Sequence, residues 1–474
     1  MKYVLTLLVF ISSLTSIQAK DGYKIKVKFT DVKDSFVYLC HYYGKAQTVY
    51  KDDSAHLSSK GEVTFQSNKK IEGGIYMILF ADQSLKVELM LNNGDDFGIT
   101  MAKSDVFNTA KFTGKSENEE FYKYQNFLVG YGKEYVELES NLAKAKTKAD
   151  STKIYDLLKA KGKTLSNYRK DVAAKSKSTL LSTIFMAVEE PEIPEELPTL
   201  PNGDKDSSYP RNFFKSNYWK TFNFYDNRLI FTPIYENKLA FYMEKLTVPT
   251  PDSVIKECKY MLDKTAGASE QFKFTLHYLS RWAEGSKIMG MDEVFVWLID
   301  KYISKGRAEW VDSASMIKYV DRMNKILPNI IGKAAIDLNM QDLNGKTIPL
   351  SSVDADYTIL IFYSPTCGTC KKELPLFDSL YKAALKPYNV KIYAVDSDAD
   401  AENTKKLITD KNLNEGFIFV SDPQHITNFR NYYDVYANPT LYLLDKNKKI
   451  VGKKIDHTNV LGLIEYLEKK KTKK

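Results

Sequence analysis

Residues 358–377 read TILIFYSPTCGTCKKELPLF. The first part of this stretch, which ends at Tyr363, is a continuous apolar run of the kind that predicts a buried strand. From Lys371 onward the pattern changes to that of a helix. Cys367 and Cys370 stand between the two predicted elements, so we expect both cysteines at the start of the helix.

This position favours redox chemistry. Backbone N–H groups and the positive end of the helix dipole stabilise a thiolate there, and Cys367 gains most from them. Cys370 follows one helical turn later on the same face, from where it can resolve a mixed disulfide formed by Cys367. We interpret the pair as redox-active. The alternatives are a structural disulfide and half of a zinc site, but tetrahedral zinc needs four ligands, and His425 and His457 show no ligand spacing.

Residues 367–375, CGTCKKELP, resemble the active site of the thioredoxin superfamily. They are most similar to the thiol-disulfide oxidoreductases of the TlpA and ResA type found in bacterial envelopes. The resemblance implies a thioredoxin-like α/β domain over residues 331–474 and a thiol-disulfide oxidoreductase activity that needs no dissociable cofactor and no metal. The regions upstream resemble the uncharacterised domains that precede such modules in Bacteroidota-type envelope proteins.

The resemblance also implies roles for individual residues. Glu373 stands where the family has a glutamate that tunes the protonation of the cysteine pair. Asn438 and Pro439 match the family's cis-proline loop, in which the backbone of Asn438 pairs with an extended substrate. Thr366 stands immediately before the first cysteine, where the family usually has tryptophan. The predicted catalytic residues are therefore Cys367, Cys370 and Glu373, and the predicted substrate-binding residues are Asn438, Pro439 and Thr366.

Two aspartates stand near the end of the next predicted strand. We interpret Asp396 and Asp398 as loop residues. The helix-and-strand segment that follows, residues 401–420, is similar to the insertion that separates the TlpA and ResA type from thioredoxin itself.

The first 19 residues predict export. Lys2 precedes an apolar stretch at residues 4–14, and Ala19 fits the position before a cleavage site, as in a secretory signal peptide. The apolar stretch is shorter than the roughly 20 residues that a membrane-spanning helix needs. We therefore expect a protein of the periplasm or cell envelope of a Gram-negative bacterium, with no transmembrane segment after signal removal. An uncleaved N-terminal anchor is the alternative.

The remaining sequence predicts a multidomain protein. Alternating apolar residues from Tyr23 to about Phe112 indicate a small antiparallel β domain, and apolar residues at helical spacing follow it. Five of the chain's 15 prolines then fall in residues 191–210, where regular helices are excluded. The predicted organisation is a signal peptide at 1–19, a β-rich domain at 20–115, a helical hairpin at 116–190, a proline-rich linker at 191–210, an all-α domain at 211–330 and the thioredoxin-like domain at 331–474.

Composition restricts the possible partners. The 474 residues are too many for one ordinary core, and 43% of them are hydrophobic, so wholesale disorder is excluded. The net charge of +8 spreads over the whole chain, and we expect no nucleic-acid partner. We expect disulfide-containing envelope proteins as substrates and an electron-donating thiol protein as the partner that re-reduces the pair.

Other functions stay open from the residues alone. Gly368 and Thr369 do not fix the direction of electron flow, so the pair reduces, oxidises or isomerises disulfides. A partner-binding or scaffolding protein with an accessory thioredoxin-like module is the alternative from another class, because simple exchange does not require the more than 300 upstream residues. A thiol peroxidase fits less well, because it usually needs a nearby arginine, and Arg430 is the only arginine after Arg322.

Overall fold

The structure, a computed structural model, describes residues 21–413 and 415–472. The predicted signal peptide at residues 1–19 lies outside the described residues. Within the described part of the chain, no helix is both long enough and apolar enough to span a membrane.

The chain forms two compact units. The first comprises the residues up to Leu246 together with Gly267–Gln271. The second comprises Thr247–Ala266 and the residues from Phe272 onward, and it contains all of the predicted site residues.

Two four-stranded sheets make up the N-terminal region. Its strands are β1 (Tyr23–Phe29), β2 (Phe36–Tyr42), β3 (Val49–His56), β4 (Glu62–Ser67), β5 (Gly74–Phe80), β6 (Lys86–Leu91), β7 (Asp96–Met101) and β8 (Lys111–Gly114). The strand orders are β4-β1-β7-β8 and β3-β2-β5-β6. In β1, the alternating residues Ile25, Val27 and Phe29 are all buried. The predicted β-rich region is thereby confirmed.

One pairing in this region differs from the predicted antiparallel arrangement. β1 and β7 pair in parallel, with Ile25 opposite Phe97, whereas β1 and β4 pair antiparallel. The chain between β1 and β7 passes through the other sheet, so no hairpin turn fixes the relative direction of these two strands.

A helical middle region follows, as predicted. Its helices are α1 (Val106–Thr109), α2 (Asn118–Lys144), α3 (Lys148–Lys175), α4 (Leu180–Val188), α5 (Tyr209–Asn217), α6 (Tyr235–Phe241), α7 (Pro251–Thr265), α8 (Ser269–Gly285), α9 (Met291–Leu298) and α10 (Ser313–Ile326). Short α1 precedes β8, and the long helices α2 and α3 are joined by a loop of three residues.

The C-terminal region is a seven-stranded sheet with helices, as expected for a thioredoxin-like fold. Its elements are β9 (Asn339–Asp342), β10 (Thr347–Pro349), β11 (Tyr357–Tyr363), α11 (Gly368–Leu380), β12 (Val390–Asp396), α12 (Ala401–Lys411), β13 (Phe417–Ser421), β14 (Thr440–Asp445), β15 (Ile450–Lys453) and α13 (Val460–Lys471). The strand order is β10-β9-β13-β12-β11-β14-β15. β11 is parallel to β12 and antiparallel to β14.

The central strand β11 contributes to a core on each face of the sheet. Ile359 and Ile361 pack in one cluster with side chains of α11 and α13, and Leu360 and Phe362 pack in the opposite cluster. All seven residues of the strand are buried, which is why its sequence is a continuous apolar run.

The outer side of the last strand, β15, is covered. Gly332 N–H donates to the Ile450 carbonyl, and Ile450 N–H donates to the Lys333 carbonyl, each at 2.8 Å. At the other end of β15, Lys453 forms an ion pair with Asp292 of α9, and both side chains are only 8% exposed. Backbone bonds thus occupy the start of this edge, and a buried ion pair attaches the end of β15 to α9.

Candidate active site

The two neighbouring cysteines lie where β11 ends and α11 begins. Cys367 is the N-cap residue of α11, and Cys370 lies in its first turn. Cys367 is half-buried and Cys370 is fully buried, and both are free thiols. Thr366, the residue before the pair, is exposed. A substrate disulfide therefore has access to the sulfur of Cys367 first.

The backbone at the start of α11 makes Cys367 the more acidic cysteine. The N–H of Cys370 donates to the Cys367 sulfur, with further bonds from the Cys370 thiol and from Thr369, and these bonds lower the pKa of Cys367. Burial, together with the negative charges of Cys367 and Asp398, raises the pKa of Cys370 to about 12. The two thiols are thus arranged so that one is prepared to attack while the other holds its proton.

The cis-proline loop lies against Cys367. The peptide bond between Asn438 and Pro439 is cis. The Cys367 thiol donates to the carbonyl of Asn438 with a sulfur–oxygen distance of 3.6 Å. The side-chain amide of Asn438 donates to the Ser397 hydroxyl at 2.8 Å, and this bond fixes the position of the loop. The structure therefore brings Asn438 of the cis-proline loop against the half-buried Cys367, with Pro439 directly after Asn438 and Thr366 directly before the cysteine.

Asp398, which the sequence analysis interprets as a loop residue, also reaches this site. The Ser364 hydroxyl donates to Asp398 at 2.5 Å, and it lies 3.1 Å from the Thr366 hydroxyl. The Cys367 N–H donates to the Ser364 carbonyl at 3.2 Å. Ser364 thus connects the Asp398 carboxylate to the turn that carries the cysteines.

Asp396 fixes the turn that presents Asp398. It ends β12, is 2% exposed, and accepts the N–H groups of Asp398 at 2.9 Å and Asp400 at 2.8 Å. The Thr404 hydroxyl donates to the same carboxylate at 2.9 Å. Burial raises the pKa of Asp396. The interpretation of Asp396 and Asp398 as loop residues therefore missed a bonded network beside the cysteines.

One signal in the sequence pointed to this network. β11 and β12 are parallel, with Tyr363 opposite Asp396, so both strands end at the same edge of the sheet. Residues that directly follow two neighbouring parallel strands meet at that edge. Recognising the strand that ends at Asp396 as the parallel neighbour of the strand before Cys367 is sufficient to place Asp398 near the cysteine pair.

Glu373 is bonded to a histidine. Its carboxylate lies 2.8 Å from Nδ1 of His457, and the two side chains are 23% and 27% exposed. The carboxylate charge that raises the pKa of Cys370 is that of Asp398. The family's glutamate position is therefore occupied and held in place, while a second carboxylate is directed at the cysteines.

The other two cysteines lie in cores. Cys40 in β2 is 3% exposed and Cys258 in α7 is fully buried, and both are free thiols. Burial raises the pKa of Cys40 to about 11 and also raises the pKa of Cys258. Across residues 21–413 and 415–472, no group of three or more histidine, cysteine, aspartate or glutamate side chains is arranged to hold a metal ion.

Three family profiles match successive parts of the chain. The AhpC/TSA family matches residues 331–453. A domain of unknown function (DUF5106) matches residues 157–329, and another (DUF4369) matches residues 23–121.

Curated relatives match the C-terminal part. Thiol-disulfide oxidoreductase ResA of a Bacillus cereus strain is 32% identical over 139 residues, which are 29% of this chain and 78% of that protein. ResA of Bacillus subtilis is 29% identical over 120 residues, covering 25% of this chain and 64% of that protein. A thioredoxin-like protein of Haemophilus influenzae is 32% identical over 135 residues, covering 28% and 72%.

Solved structures are also similar. A thioredoxin-like protein from Bacteroides caccae matches with a TM-score of 0.46 and 20% identity, covering 58% of this chain and 97% of that chain. A domain of a possible thiol-disulfide isomerase from Cytophaga hutchinsonii matches with a TM-score of 0.29 and 34% identity, covering 31% and 97%.

Proposed function

We infer the function from one premise: the chain belongs to the family of thiol-disulfide oxidoreductase ResA. The predicted resemblance and the predicted enzyme class are confirmed by this relationship. We further propose that the chain is exported and that it reduces or exchanges disulfides of other proteins in the bacterial envelope. The placement of the two sulfurs is the observation that carries the proposal: Cys367 lies half-buried at the N-cap of α11 against the Asn438 carbonyl, whereas Cys370 is fully buried in the first turn. The pKa values of the two thiols shift in opposite directions for the same reason, which gives the sulfurs different tasks.

In the first step, the Cys367 thiolate attacks a substrate disulfide. A bond forms between Cys367 and one substrate sulfur, the substrate S–S bond breaks, and the other substrate sulfur leaves as a thiolate that takes a proton. The exposed Thr366 and the backbone of Asn438 border the position of the attacked sulfur. These two residues and Pro439 would hold the substrate chain during the attack.

In the second step, Cys370 loses its proton and attacks the sulfur of Cys367. The Cys367–Cys370 disulfide forms, the mixed disulfide breaks, and the second substrate sulfur leaves as a thiol after protonation. Two electrons pass from the dithiol to the substrate. An electron-donating thiol protein then returns the pair to the reduced state.

We assign control of the Cys370 proton to Asp398. Its charge acts on the Cys370 thiol, and its bond to Ser364 fixes its place beside the cysteine turn. Asp398 is thus a positioning residue for the second step. Glu373, bonded to His457, would contribute a smaller share of this control.

The proposal is tested by reduction of insulin with dithiothreitol, followed as turbidity. We expect the full chain to accelerate precipitation and the Cys367→Ala variant to show only the background rate of dithiothreitol. Cys40→Ala is the matched control and should retain activity, because Cys40 is buried in the core of the other compact unit. A Cys367→Ala variant as active as the wild type would contradict the assignment of the attacking sulfur.

The direction of electron flow is tested by the reduction potential of the Cys367–Cys370 pair, equilibrated in thiol buffers and read by alkylation and mass. A value near about −270 mV, as in thioredoxin, would support a reductase. A value near about −120 mV, as in a disulfide-forming oxidant, would contradict reduction as the physiological direction.

A further inference from the structure

The stretch that leads into the cis-proline lacks regular secondary structure. This loop segment, residues 434–439, lies in neither a helix nor a strand of the described chain, and β14 begins only at Thr440. No ladder of backbone hydrogen bonds fixes it, so its position depends mainly on contacts of its side chains. Since the carbonyl of Asn438 accepts from the Cys367 thiol, the groups that hold the loop segment also set the surface that a substrate meets.

Arg322 of α10 contacts the loop segment at two points. Its guanidinium nitrogen Nη2 lies 3.8 Å from Oδ2 of Asp434, and its central carbon Cζ lies 5.0 Å from the centre of the Tyr436 ring. A guanidinium within about 6 Å of an aromatic ring is attracted to the face of that ring. Tyr436 is 83% exposed, so packing does little to place its side chain.

Arg322 is itself held by the neighbouring helices. Its guanidinium forms an ion pair with Glu284 of α8, and Cζ lies 5.8 Å from the centre of the Phe295 ring of α9. A guanidinium presents its donors in fixed directions, so one arginine can face carboxylates on two sides. Arg322 thus connects three helices of the second unit to the loop segment.

A second side chain of the helical region supports this connection. Asn329, which follows α10, is fully buried, and its side-chain amide donates to the carbonyls of Lys325 and Tyr432. Lys325 belongs to α10, whereas Tyr432 stands just before the loop segment. The helical region therefore holds the chain both directly before the loop segment and within it.

We propose that Arg322 is a positioning residue for the cis-proline loop. Through Asp434 and Tyr436 it keeps the loop in the orientation in which the backbone of Asn438 pairs with an extended substrate chain. This role rests on the proposed function, since it concerns the substrate that Cys367 attacks. Only a polypeptide has a backbone to pair with the loop, so Arg322 favours polypeptide disulfides over small ones. A residue upstream of the AhpC/TSA match thereby helps to select the substrate.

The test uses the reduced full chain and two uncharged substrates with the same leaving group. The first is a short peptide with blocked ends, whose central cysteine stands between alanines and carries 2-thiopyridine as a mixed disulfide. The second is the same mixed disulfide of N-acetylcysteamine, which has no polypeptide chain. Cys367 forms a bond to the sulfur of the peptide or of N-acetylcysteamine, the substrate S–S bond breaks, and pyridine-2-thione leaves with a proton. The absorbance of pyridine-2-thione gives the rate.

We expect Arg322→Gln to lower the second-order rate constant for the peptide about fivefold, as for the loss of one exposed cation–π contact and one partly exposed ion pair. The rate constant for the small disulfide should change less than about twofold, and its pH profile, which reports the pKa of the attacking thiol, should not shift. Arg322→Lys keeps a cation without the fork of donors, so part of the peptide rate should return. Arg281→Gln, at an exposed position of α8, removes the same charge and should react with both substrates like the wild type.

A double-mutant cycle tests whether Arg322 acts through the Tyr436 ring. Tyr436→Phe keeps the ring and should react like the wild type, whereas Tyr436→Ala should slow the peptide reaction about threefold. The variant that carries both Arg322→Gln and Tyr436→Ala should be slowed about fivefold, as Arg322→Gln alone is, and not the roughly 15-fold of two independent losses. Independent losses would contradict positioning through this ring.

The outcomes distinguish this role from the proposed function. Equal losses for the peptide and the small disulfide, or no loss for either, would overturn the positioning role and leave the proposed function intact. No release of pyridine-2-thione from either substrate by the wild type would overturn the proposed function itself. If Arg322→Gln does not fold, the same cycle is run with Arg322→Lys, whose effect should again depend on the presence of the Tyr436 ring. Additive effects of Arg322→Lys and Tyr436→Ala would contradict the positioning role.

Discussion

Cys40 in β2 and Cys367 at the start of α11 are residues of the same type in two different backbone environments. Cys40 lies within a strand whose N–H groups are used by its neighbours, and burial raises its pKa to about 11. Cys367 precedes a helix whose first N–H groups are free to bond the sulfur, and its pKa is lowered. The comparison teaches that the unused backbone donors, more than the cysteine itself, create the reactive thiol.

The two regions that hold these cysteines also differ in how their strands end. In the sheet of β2, neighbouring strands are antiparallel, so the ends of successive strands lie at opposite edges. In the C-terminal sheet, β11 and β12 are parallel and end at one edge. Side chains after both strands meet there, which explains why Asp398 lies beside the cysteine turn.

The largest effect is expected from Cys370→Ala in a single turnover without dithiothreitol. The reduced variant should stop at the mixed disulfide between Cys367 and the substrate, because no second sulfur remains to resolve it. Mass spectrometry under non-reducing conditions detects the adduct. Cys258→Ala is the matched control from a helix core and should proceed to the Cys367–Cys370 disulfide. Complete release of substrate by Cys370→Ala would contradict the assignment of Cys370 as the resolving cysteine.

The next effect concerns alkylation of the native protein by iodoacetamide. The thiolate is the reactive form, so rates rise with pH until the thiol is fully ionised. The pKa of Cys367 lies below its ordinary value, whereas that of Cys40 is about 11, more than two units above the roughly 8.5 of an unperturbed cysteine. At pH 7 we expect Cys367 to react at least about 100-fold faster than Cys40, measured by peptide mass spectrometry. Similar alkylation rates for Cys367 and Cys40 would contradict the proposed difference in thiolate content between the two cysteines.

A smaller effect is expected from Asp398→Asn. Loss of the carboxylate should slow resolution of the mixed disulfide about tenfold at pH 7, which corresponds to about 1.4 kcal/mol in the barrier. Because the Asp398 charge raises the pKa of Cys370, its removal by itself favours the thiolate, and we expect the loss of a proton acceptor to outweigh this effect at pH 7. The deficit should shrink at high pH, where hydroxide takes the Cys370 proton. Asp400→Asn is the matched control from the same turn. A pH-independent loss equal to that of Asp400→Asn would indicate a purely structural role.

The smallest effect is expected from Glu373→Gln. His457 holds the Glu373 carboxylate, and the carboxylate whose charge acts on the Cys370 thiol is Asp398. We therefore expect the rate of resolution to fall only about twofold to threefold. Stopped-flow measurement of the same single turnover gives the value. A tenfold slower resolution in Glu373→Gln, with an unchanged rate in Asp398→Asn, would show that Glu373 and not Asp398 controls the Cys370 proton.

The sequence predicted the fold best where one pattern admits one structure. The apolar run before Cys367 predicted a strand buried on both faces, and all of β11 is buried. The pattern from Lys371 onward predicted a helix, and α11 begins three residues earlier, at Gly368. The parallel pairing of β1 with β7 was not predictable in the same way, because strand direction across two sheets depends on long-range contacts that residue periodicity does not encode.

The same limit applies to the candidate site. The cysteine pair is visible because three residues of spacing and one helix start define it locally. The place of Asp398 depends on the pairing of two strands more than 30 residues apart in the chain, and the bond of Glu373 to His457 depends on a segment 84 residues away. Local signals therefore found the sulfurs, whereas placing the carboxylates beside them requires the pairing of segments that are distant in the chain.

The covered edge of β15 has a consequence for the behaviour of the protein in a crowded compartment. An open edge strand invites pairing with extended segments of other chains. Backbone bonds from Gly332 and Lys333 occupy the start of that edge, and the opposite edge strand β10 has three residues and ends in Pro349. Both edges of the sheet therefore offer another strand a shorter row of free backbone groups.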